Sequence, residues 1–167
     1  KTYSDITTRL EFLCPAPVFT LDTPHTVELE GMTSFSIEGS VMRAASAVEG
    51  PLVLGVIGAV KDPTDETRQN LMRAEKAFAK AGAHAVVLNG DLAEDEDLNA
   101  VFMMVGEVFQ RPVLAHSGNI EWSASFNHAW EAAHDAHPQL FNMNWFRAVD
   151  FGQHTLVVMP GYFNHRF

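Results

Sequence analysis

Three short apolar runs, PLVLGVIGAV (51–60), HAVVLNGD (84–91) and RPVLAH (111–116), alternate with two segments whose apolar residues return at helical spacing. Few architectures accommodate that alternation. An apolar run without polar interruption suits a strand covered on both faces. Consecutive strands separated by a helix run parallel and are joined by right-handed crossovers. The leading expectation is therefore an α/β fold with a mostly parallel sheet and flanking helices.

The helical segments carry their own boundaries. In DPTDETRQNLMRAEKAFAKAG, Thr64 is placed to cap, Asp65 and Glu66 fall in the first turn, and Leu71, Ala74, Ala77, Phe78 and Ala81 form a stripe that stops at Gly82. In EDEDLNAVFMMVGEVFQ the stripe is Leu98, Val101, Phe102, Val105, Val108 and Phe109. Its acidic start, through Asp95, Glu96 and Asp97, is predicted to open the helix and offset its macrodipole. SASFNHAWEAAHDAHP predicts a third helix with Phe126, Ala129, Trp130 and Ala133 inward, Pro138 as its stop, and His128, His134 and His137 on a solvated face. WFRAVDFGQHTLVVMPG reads as a terminal β-hairpin turning near Gly152.

Residues 1–50 differ in character. CPAPVFTLDTPHTVELEG carries three prolines before Val27 and Leu29 alternate, and SFSIEGSV repeats the alternation at Phe35 and Ile37. A short β-rich extension, an edge ribbon or docking arm, is expected there, with the α/β domain over residues 51–167 and its sheet incomplete at Phe167.

Net charge narrows the partners. Against 11 Lys and Arg stand 21 Asp and Glu, giving −10 and no basic stripe, so nucleic acid is not an expected partner. No apolar run reaches the roughly 18 residues of a transmembrane segment. Cys14 is alone, which excludes an intrachain disulfide. The start at Lys1 is consistent with an extracytoplasmic location after removal of an N-terminal signal, and equally with a chain cut from a longer one.

Chemistry in such sheets collects beyond the carboxyl ends of the strands. Those ends read GAVKD, NGDLAED, SGNIEW and PGYFNHRF. A glycine-rich phosphate turn is missing from VIGAVKDP, which disfavours a nucleotide-binding module. NGD with a carboxylate three residues on, followed one strand later by GN and then an acid, resembles the calcineurin-like metallophosphoesterases. Their motifs are Asp-x-His, Gly-Asp-x-x-Asp and Gly-Asn-His-Asp or Glu. The resemblance runs from about Pro51 to Phe167. It implies that Asp91 stands at the metal-bridging aspartate, Glu94 at the second carboxylate and Asn119 at the asparagine ligand.

The departures are chemical ones. Gly58 and Val60 stand where the first motif has Asp and His, Ile120 stands where the third has His, and a later Gly-His-x-His has no counterpart in these residues. A two-metal phosphoesterase needs carboxylate and imidazole ligands to hold its cations and activate a water. Gly58 and Val60 cannot ligate, and Ile120 removes an imidazole able to assist the leaving group. The expectation is a degenerate, noncatalytic metallophosphoesterase-like domain, a pseudoenzyme that binds a protein partner or joins a larger assembly, with no cofactor. The alternative is an active or weakly active metal-dependent phosphohydrolase that uses a divalent metal (Mn, Fe, Mg or Ca) and is completed by residual ligands or by residues outside this chain. The residues to watch are Asp91 and Asn119 as residual metal positions, and Glu94, His116, Glu121, Asn164 and His165 around the pocket.

Overall fold

The computed structural model describes residues 25–146 and 148–158. Its strands are β1 (His25–Val27), β2 (Phe35–Glu38), β3 (Val41–Val48), β4 (Leu54–Ile57), β5 (Ala85–Asn89), β6 (Val113–His116), β7 (Leu140–Asn142), β8 (Ala148–Gly152) and β9 (Thr155–Val157). Helices α1 (Asp65–Ala81), α2 (Leu98–Val108) and α3 (Ser123–His134) follow β4, β5 and β6 in turn.

The predicted βα units form a four-stranded parallel sheet in the order β4-β5-β6-β7. Spatial order equals chain order, so crossovers of one hand, as βαβ connections prefer, carry all three helices to one face. Side chains of β5 and β6 then divide by the two-residue period of a strand. Val86, Leu88, Val113 and Ala115 pack with Leu71, Phe102, Val105, Phe126 and Trp130 from the helices. Ala85 and Leu114 point to the other face and meet Phe35, Ile37, Met42, Val149 and Phe151.

That second face is covered by a five-stranded mixed sheet, β1-β2-β3-β8-β9. The expected hairpin is β8-β9, antiparallel, with Gly152 at φ 91°. The short strands expected before residue 50 are also present. β3 lies parallel to β8, pairing Met42 with Val149, and Phe35 and Met42 are fully buried. From residues 25–48, Leu29, Phe35, Ile37 and Met42 pack into this core, and β1 forms the edge of the sheet.

Helix α1 has the foreseen ends. Thr64 accepts from Thr67 N at 3.2 Å, and Gly82 adopts φ 68°, its N–H and that of Ala83 closing on Ala79 O and Phe78 O. Helix α2 departs from expectation: it begins at Leu98, its first turn has no acid, and Asp97 makes no side-chain cap. The acidic residues instead form a turn in which Asp97 N donates to Glu94 O at 2.9 Å. The histidines of the third helical segment also correct the solvated-face reading. His134 stacks on Trp130 with centroids 4.7 Å apart and holds Leu140 O through Nδ1 at 2.8 Å, while the His137 ring lies over the Cα of Gly106. Only His128 of these three is exposed. The 51–60 run differs too. β4 is a sheet edge, and the covering sheet reaches Leu54 but leaves Val56 60% exposed.

Candidate functional site

The loops leaving β4, β5 and β6 meet at the carboxyl edge of the parallel sheet. Backbone bonds stitch the first two together: Ala59 N donates to Gly90 O at 3.2 Å and Lys61 N to Leu92 O at 2.6 Å. Ala59, Lys61 and Asp91, at φ 55°, 69° and 54°, are the non-glycine residues with left-handed backbone among those described. Each L-residue held there costs on the order of 1 kcal/mol, so backbone strain is concentrated on this edge.

The second and third loops touch main chain to main chain. A Cβ on Gly90 would come within 2.5 Å of Gly118 Cα, and one on Gly118 within 2.4 Å of Asp91 N. Glycine is required at both positions by this approach, with Gly90 also at φ 72°.

Around that contact the polar groups are spent on each other. Asp91 Oδ1 accepts from Asn119 N at 3.0 Å. With its amide oriented to satisfy both residues, Asn119 Nδ2 donates to Asp91 Oδ1 at 3.0 Å and Oδ2 at 3.3 Å. The resemblance would have Asn119 offer its amide oxygen to a cation; in the orientation that satisfies both residues its nitrogen faces the carboxylate instead. Glu121 is 7% exposed and turned back into the loops, where one oxygen takes the N–H of Leu92 and the other that of Gly118 at 2.7 Å. A single carboxylate therefore clamps the β5 and β6 loops, satisfying two donors that would otherwise be buried unbonded.

Next to the clamp, His116 places Nε2 2.9 Å from Asn89 Oδ1 and Nδ1 3.0 Å from Ser117 O. Ser117 N and Oγ donate to Asn144 Oδ1 at 3.2 and 3.3 Å. Buried Asn142 in turn accepts from Asn144 N at 3.0 Å and donates to Asn127 Oδ1 at 2.8 Å. These form a polar seam from β5 across to α3.

Of the residues singled out by sequence, Asp91, Asn119, Glu121 and His116 are thus brought together along one edge. Glu94 is exposed and outside the bonded cluster. Gly58 is exposed with open space where a side chain would project, Val60 packs against the helix-side core, and Ile120 is half-buried. Asn164 and His165 lie outside the described residues. Two features escape a reading of the sequence. The clamp role of Glu121 has one signal, an acid three residues after Gly118 at the approach to a helix; the asparagines of the seam have none.

This donor set does not fit a two-metal centre. Among the described residues, no three or more His, Cys, Asp or Glu side chains are grouped to hold an ion. Oxygens of Asp91 and Glu121 accept from protein N–H groups, which takes up part of their lone-pair capacity. Beyond the clamp the edge presents Trp122, 57% exposed, with its N–H on Asp95 Oδ1 at 3.3 Å.

No protein-family model matches the chain, and no curated protein matches it. Among solved structures, the crystal structure of TT1561 of Thermus thermophilus is similar at 20% identity and a TM-score of 0.41, over 52% of this chain and 40% of that one. The chain thus spans 40% of that structure's length, and a likeness this loose bears on neither site nor activity.

Proposed function

We propose that this chain is a noncatalytic metallophosphoesterase-like domain with a binding or assembly role. The observation that carries the reading is the Asp91–Asn119 pair: the two residues that match residual metal positions hold each other by hydrogen bonds. Gly58, Val60 and Ile120, which stand at the remaining first- and third-motif positions, offer no oxygen or nitrogen from their side chains. A glycine–glycine contact and the buried Glu121 then hold the loops closely against each other.

Support for a binding role comes from what the loops display. Trp122 is a large apolar side chain left mostly in solvent beside the exposed acids Glu94, Asp95 and Glu96. Tryptophan is the residue type most enriched among those that dominate protein–protein affinity. A protein partner is the occupant such a surface suits; nucleic acid is opposed by the −10 charge of the chain.

The test is hydrolysis of a generic aryl phosphate by the full chain purified from medium supplemented with Mn²⁺ and Fe²⁺, with elemental analysis of the same sample. The expected result is no turnover above buffer and well under one ion per chain. Two ions per chain together with turnover would overturn the proposal in favour of a metal-dependent phosphohydrolase.

A further inference from the structure

We draw no further inference here: the strongest candidate, the apolar surface at the outer strands β4 and β9 of the two sheets, where Val56 and Val157 are 60% and 67% exposed, carries nothing because no described residue shows what covers it.

Discussion

Glu121→Gln distinguishes a carboxylate that builds the fold from one kept for a ligand. In the structure both carboxylate oxygens of this 7% exposed side chain accept backbone protons, from Leu92 N and from Gly118 N at 2.7 Å. Glutamine has nearly the same shape but only one oxygen. One N–H keeps an acceptor, now uncharged, and the other faces an NH2 group with nothing to give it. Bonds to a charged acceptor contribute about 1.5–3 kcal/mol each, so losing one and weakening the other should cost about 2–3 kcal/mol. For a chain of 167 residues this is a fall in Tm of roughly 5–10 °C. Urea denaturation followed by far-ultraviolet circular dichroism reads it as a lower midpoint at unchanged slope. The sign is decisive. A buried charge retained for a cation burdens the empty protein, and neutralising it raises stability. A Glu121→Gln chain as stable as the wild type, or more so, would refute the clamp.

Gly118→Ala should destabilise by about 3 kcal/mol or more, because the new methyl collides with the Asp91 main chain. Gly58→Ala, projecting into open space, should stay within about 0.5 kcal/mol of wild type, and parallel urea curves compare the two. Ala59→Gly relieves a φ of 55° and should raise stability by about 0.5–1 kcal/mol, read as a higher thermal midpoint. Arg111→Met strands Glu75, a carboxylate 15% exposed, and should cost about 2–4 kcal/mol, which Arg111→Lys restores only in part because a lysine cannot make the paired contact.

How far the sequence can be read depends on the range of the forces involved. The βα alternation is legible because burial on both sheet faces imposes continuous apolar runs, and the ends of α1 are legible because Thr64 and Gly82 act within a turn of their own position. The start of α2 is not. Acids favour a helix N-terminus on average, but tertiary contacts of the loop, such as Asp95 with Trp122 N, claim these first. β7 escapes prediction because three fully buried residues show no period. The site is legible in its residues and not in their use. Asp91, Asn119, His116 and Glu121 stand out by type and place, yet the direction of each bond depends on how closely Gly90 and Gly118 bring two loops together across 28 residues of chain, and that distance is set by the whole sheet. The left-handed backbone at Ala59 and Lys61 is hidden for a related reason, since neither residue type favours it locally.

The claim that Asp91 and Asn119 hold each other instead of a cation is tested most directly by adding Mn²⁺ to the ¹⁵N-labelled chain. A paramagnetic ion seated on the Asp91 carboxylate would erase the amide signals of Asp91, Gly118, Asn119 and Glu121 first, at less than one equivalent. Those signals should instead keep their intensity at one equivalent; their selective loss would contradict the account.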